Sequence, residues 1–209
     1  MWLVIVSLCA LHIWSIERNT KYLFYITKAT PVILMAFLAY TSATDFSTYA
    51  LYIALGLIMS AIGDLFLMHP KDKFLPGLVS FFLAHLLYSY AFFSQTDAHF
   101  NIWVPVVLIC IGIIVYLLLL PTLGAMRLPV AGYSFAILVM AWGAIEVWLD
   151  VRSPFAGYGA MGALIFIISD VVLAIDRFRS SSAFSRHVIM VTYYSAQMLL
   201  TLSALKAYF

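Results

Sequence analysis

Long apolar runs alternate with short polar breaks along almost the whole chain. The runs fall at roughly residues 2–16, 28–44, 49–69, 74–93, 101–120, 129–149, 157–176 and 187–207, close to the length that crosses a bilayer as a helix. The breaks carry turn residues, as in HPKDK (69–73), LPTLGAMRLP (120–129) and DVRSPFAGYG (150–159). This pattern predicts an all-α membrane protein, a bundle of eight transmembrane helices. Residues 1–209 are expected to form a single integral membrane domain with no soluble portion. The opening MWLVIVSLCALHIW has neither a positive leader nor a small-residue cleavage site, so it reads as the first span.

Composition strengthens this picture. The chain is 65% hydrophobic and 10% charged, with a mean hydropathy of +1.05. A soluble domain carries about a quarter charged residues, so this much apolar surface needs lipid as its solvent. A net charge of +2 and the lack of a basic tract give no reason to expect a nucleic-acid partner. Cys9 and Cys110 sit inside apolar runs and are expected to be small packing residues.

Charge placement predicts orientation. Arg18, Lys21, Lys28, Lys71, Lys73, Arg127, Arg177, Arg179 and Arg186 cluster at the loops joining helices 1–2, 3–4, 5–6 and 7–8, leaving Arg152 and Lys206 for the other face. The positive-inside rule puts these turns into even-numbered helices in the cytoplasm and both termini outside.

The two halves echo each other. Helix 3 reads GLIMSAIGDLFLM and helix 7 reads GALIFIISDVVLAI, each with a glycine eight residues before an aspartate. SFFLAHLLY in helix 4 sets His85 opposite Gln197 in the TYYSAQMLL of helix 8. A parallel 4+4 tandem repeat is expected, with halves 1–100 and 101–209 and a site at the repeat interface.

A charge inside a membrane helix costs about 2.5–3.5 kcal/mol on insertion scales and marks a functional candidate. Asp64 and Asp170 are expected ~9 Å deep, with His85 and Gln197 ~16 Å deep from the same face. Lys28 is expected at the mouth of helix 2, and Tyr193 lies one turn before Gln197. Against a site stands the plain interhelical hydrogen bond, worth about 1 kcal/mol; two aspartates at one depth favour a site. Glu146 is expected at the outer rim or paired with Arg152, His12 as a satisfied bundle residue, and His69, His99 and His187 at the interfaces. Gly157, Gly159 and Gly162 suit close helix packing. Asp64, His85 and Asp170 are an oxygen-rich set for structural zinc, so neither metal nor cofactor is expected.

KATPV (28–32), GDLFL (63–67), FFLAHLLYSYAF (81–92), FIISDVVLA (166–174) and SRHVIMVTYYSAQMLL (185–200) resemble the YhhN, or lysoplasmalogenase-like, membrane family. The resemblance implies an eight-helix membrane hydrolase acting on the vinyl ether of lysoplasmalogens, releasing a fatty aldehyde and a glycerophospho-base. It implies catalytic roles for Asp64, Asp170 and His85, and substrate contacts from Lys28, Tyr193 and Gln197. The implied partner is a lysophospholipid in a bacterial inner membrane, with the endoplasmic reticulum as the alternative; oligomeric state stays open. A vinyl ether is cleaved by protonating its β-carbon, and two carboxyl groups in different surroundings supply an acid and an anion. The more apolar neighbours of Asp64 make it the expected proton donor, with Asp170 as the ionised partner and His85 orienting water. Two other functions fit the same residues: a proton-coupled transporter or lipid-binding bundle, and a metal-dependent lipid amidase.

Overall fold

The computed structural model describes residues 1–18, 21–42, 48–96 and 101–205, apart from the side chains of Lys21, Tyr22 and Ser42. His99 and Lys206 lie outside the described residues. The eight apolar runs form eight helices: α1 Trp2–Ser15, α2 Lys21–Ser42, α3 Thr48–Leu67, α4 Phe74–Phe93, α5 Trp103–Leu119, α6 Arg127–Val151, α7 Pro154–Phe178 and α8 Ala183–Ala204. Two single 3₁₀ turns, Leu120–Thr122 and Gly124–Met126, join α5 to α6. Among the described residues there is no strand.

Among the described residues six helical stretches are long and apolar enough to cross a membrane, drawn from α2 to α7. The chain is a multi-pass membrane protein. The two exceptions have different causes. At 14 residues α1 is about 21 Å long, short of a hydrocarbon core of about 30 Å. α8 is long enough but polar, because Tyr193, Tyr194, Gln197, Thr201 and Ser203 turn inward and are buried among the other helices.

α3 packs along α4 and α7 along α8, the two closest pairs, while α8 also reaches α1, α2 and α3. Glycines set these distances. A Cβ on Gly63 would stand 2.6 Å from the Phe81 ring, and one on Gly162 would stand 3.1 Å from the α8 backbone at Ala196 and Leu200. Of the other glycines expected to pack closely, Gly159 meets the Phe92 ring, whereas Gly157 has only Trp148 near it. α5 is peripheral, docked mainly on α6, and Val107, Ile111, Ile114 and Leu117 face outward.

The α1–α2, α3–α4, α5–α6 and α7–α8 connections meet at one end. There Arg177 holds Asp72 at 2.6 Å and lies over the Phe74 ring, which stacks edge-on against Phe178. The helices also overrun their expected bounds at this end. α2 begins at residue 21 rather than 28, so Lys28 sits two turns inside the helix instead of at its mouth.

Candidate active site

Pro31 interrupts α2 three residues after Lys28. Proline has no N–H for the carbonyl one turn back, which frees the Thr27 oxygen. The Tyr194 hydroxyl of α8 docks beside it, donating to the Lys28 carbonyl at 2.9 Å and more loosely to the freed Thr27 oxygen at 3.4 Å. This docking sets Lys28 against α3, where its ammonium lies 3.7 Å from Asp64 Oδ1. The other Asp64 oxygen accepts from the Tyr193 hydroxyl at 2.8 Å. Asp64 is 2% exposed and both of its oxygens face proton donors.

Asp170 has its own group. Its Oδ2 accepts a short hydrogen bond from Tyr133 of α6 and lies 3.5 Å from His85 Nε2. The Tyr133 proton is committed to Asp170, so His85 Nε2, 3.0 Å from the Tyr133 oxygen, supplies the proton of that contact. His85 is fully buried, and its Nδ1 has no hydrogen-bond partner.

The two aspartates therefore form separate groups rather than a shared pair. Phe166 packs on both, 5.7 Å from Tyr193 and 4.8 Å from His85 between ring centroids, and Phe81 adds to the wall beside Tyr193. Gln197 touches neither aspartate but lies within hydrogen-bonding reach of the Tyr193 hydroxyl. Buried deeper, it accepts from Tyr88 at 2.9 Å, and Tyr88 in turn lies 3.3 Å from Ser60. Among the described residues no three of His, Cys, Asp and Glu come together.

Two spaces flank these groups. An apolar cleft of about 70 Å³ lies between α4, α5, α6 and α7, with Asp170 and Tyr133 on its wall beside Ile137, Ile167 and Leu173. Ile111, another wall residue, is 47% exposed, so the cleft opens on the outer surface of the bundle. At the basic end a cavity of about 510 Å³ is lined by Arg18, Lys28, Arg186, Asp176 and His12. Leu173 borders both spaces, whereas Asp64 borders neither.

Other expected residues fall elsewhere. Glu146 does not pair with Arg152. It is buried at the far end of α6, accepting from Trp142 Nε1 and the Asn101 amide, both at 2.9 Å. Arg152 instead donates to the Leu149 carbonyl. His69 and His187 lie at the basic end, bonded to nearby backbone. Cys9 is buried and Cys110 is exposed, so only the first is a core residue. Sequence reading missed Tyr133, although it lies six residues into α6 from the basic end, at a depth similar to Asp170.

Lysoplasmalogenase TMEM86B of Homo sapiens is 35% identical over 197 residues, covering 93% of this chain and 81% of that protein. Lysoplasmalogenase TMEM86A of Homo sapiens is 37% identical over 176 residues, covering 81% of this chain and 69% of its own. A membrane protein of Escherichia coli O157:H7 that carries the name YhhN is 26% identical over 179 residues, 86% of each chain. No solved structure matches the chain. The profile of the YhhN family matches residues 23–204, from α2 to the end of α8, and the chain belongs to the YhhN family.

Proposed function

We propose that this protein is a lysoplasmalogenase, a membrane hydrolase that cleaves the vinyl ether of a 1-alkenyl lysophospholipid to a fatty aldehyde and a glycerophospho-base. The observation that carries the reading is the placing of Asp170, a carboxyl group on the wall of an apolar cleft with Tyr133 and His85 ranked behind it. The similarity to human proteins named lysoplasmalogenase supports the choice of substrate.

In this reading the headgroup phosphate lies in the basic cavity against Arg18, Lys28 and Arg186. The glycerol passes Leu173 and the alkenyl chain lies along the cleft. Asp170, protonated on Oδ1, transfers that proton to the β-carbon of the vinyl ether. The π electrons form the new C–H bond and leave an oxocarbenium ion shared by the α-carbon and the ether oxygen. The resulting carboxylate lies against this cation and keeps the Tyr133 hydrogen bond, with His85 behind Tyr133. Water adds to the α-carbon and returns its proton to Asp170. The hemiacetal then collapses to aldehyde and alcohol.

This assignment reverses the roles expected from sequence. The Lys28 ammonium and the Tyr193 hydroxyl both point at Asp64, which suits a fixed anion that holds Lys28 toward the phosphate. Asp64 and Tyr193 are then positioning residues, and Gln197 ties α8 to α4 through Tyr88.

All eight helices cross the membrane in the proposed arrangement, with the basic loops in the cytoplasm and both termini outside, in a bacterial inner membrane. One domain comprises two tandem halves. The pairing of an α3 aspartate with α8 and an α7 aspartate with α4 supports that duplication.

The test offers purified protein a 1-alkenyl lysophosphatidylethanolamine beside its 1-acyl and 1-alkyl counterparts. Fatty aldehyde should come from the first lipid alone. Absence of aldehyde from the alkenyl lipid overturns the reading.

A further inference from the structure

His12 differs from an ordinary buried bundle histidine. It is fully buried in the last turn of α1, and its ring packs 4.7 Å from Phe24 between centroids. Its Nδ1 lies 3.1 Å from Thr27 Oγ, and that hydroxyl already donates its only proton to the Leu23 carbonyl at 2.6 Å. Nδ1 must therefore carry the proton of the contact, which leaves Nε2 of the neutral ring as a bare acceptor. Nε2 has no partner, and His12 is on the wall of the basic cavity. A buried polar group without a partner costs about 1–3 kcal/mol, which a ligand hydrogen bond would relieve.

The chemistry of the cavity narrows the ligand atom. A phosphate offers only acceptors and belongs with Arg18, Lys28 and Arg186. A lone pair needs a donor. Arg18 lies beyond the end of α1, at the mouth of the cavity, whereas His12, six residues earlier, lies within the last turn of the helix. A glycerophospholipid bound phosphate-outward brings its glycerol carbons to this inner level. In a lysolipid the free sn-2 hydroxyl is the glycerol donor.

We propose that His12 is a specificity-determining residue that accepts the free sn-2 hydroxyl of the substrate glycerol, an inference that rests on the function proposed above. An sn-2 acyl or alkyl group brings no donor and leaves Nε2 without its partner. The enzyme is thereby selective for the lyso form.

The test compares two vinyl ether substrates, the natural sn-2-hydroxy lipid and its sn-2-deoxy analogue. Wild-type kcat/KM should favour the hydroxy lipid about tenfold, the fold-change expected for one neutral hydrogen bond. His12→Ala should abolish the preference, lowering kcat/KM for the hydroxy lipid about tenfold more than for the deoxy lipid. His12→Gln, which can still present an acceptor oxygen, should recover part of the preference. Equal loss on both substrates in folded variants gives His12 a structural role only and overturns the proposal. Absence of any preference in the wild type also overturns it, and that arm needs no variant. A wild-type protein inert toward both lipids instead fails the lysoplasmalogenase reading itself.

Discussion

Replacing Tyr133 by Phe removes one oxygen atom from the centre of the Asp170 group and leaves the ring in place. That oxygen donates to Asp170 Oδ2 and takes the proton of His85 Nε2 at 3.0 Å. A hydrogen bond to a charged group contributes about 1.5–3 kcal/mol. The bond matters most once Asp170 has given up its proton. At about 1.36 kcal/mol per decade, kcat should fall roughly 10- to 150-fold, with KM little changed because the hydroxyl is not needed to hold the lipid. The variant should also lose about 1–3 kcal/mol of stability, since buried His85 keeps only the 3.5 Å contact of Nε2 to Asp170 while Nδ1 already lacks a partner. The assay follows aldehyde release through a coupled NADH-consuming dehydrogenase, beside a thermal melt in detergent. Tyr88→Phe is the matched control. It cuts the buried contacts to Gln197 and Ser60 away from the cleft and should reduce stability without comparable loss of kcat. Wild-type kcat in Tyr133→Phe, or equal kcat losses in both variants, would refute the role given to the Tyr133 hydrogen bond.

Lys28→Met leaves the Asp64 carboxylate buried without its cation, and breaking a buried pair costs about 3–5 kcal/mol. The Lys28→Met, Asp64→Asn double variant should melt closer to the wild type than Lys28→Met alone while keeping a raised KM, which a melting series with Michaelis analysis would check. Gly63→Ala puts a methyl group 2.6 Å from the Phe81 ring and should cost about 1–3 kcal/mol by overpacking. By contrast Arg177→Ala breaks an ion pair whose side chains are 41% and 64% exposed. It should shift stability by less than about 1 kcal/mol, measurable by the same melts.

Hydrophobic runs and charge asymmetry suffice to place eight helices and gather the basic loops at one end, because lipid burial and positive charge act on each segment by itself. The aspartates were legible for a related reason: a charge stands out in an apolar run. Their partners were harder to see. Tyr133, Tyr88 and Phe166 are unremarkable in membrane helices, and only the packing of α6 and α7 against α4 reveals which of them meets Asp170 or His85. Matching depth also misled. Asp64 bonds to Tyr193 and Lys28 and Asp170 to Tyr133 and His85, so equal distance from one end did not make them a shared pair. His12 looked satisfied because sequence does not show that Thr27 has already spent its proton on Leu23. Lys28 is expected at a helix mouth because a charge marks the edge of an apolar run, whereas the apolar residues before it, from Leu23, belong to the same membrane-length stretch.

Proton transfer from Asp170 to carbon is the central claim, and hydrolysis in deuterated buffer tests it most directly. Wild-type protein should release an aldehyde carrying one deuterium at C2, more slowly than in ordinary water, and folded Asp170→Asn should release none. Aldehyde without deuterium at C2, or full turnover by Asp170→Asn, would contradict the account.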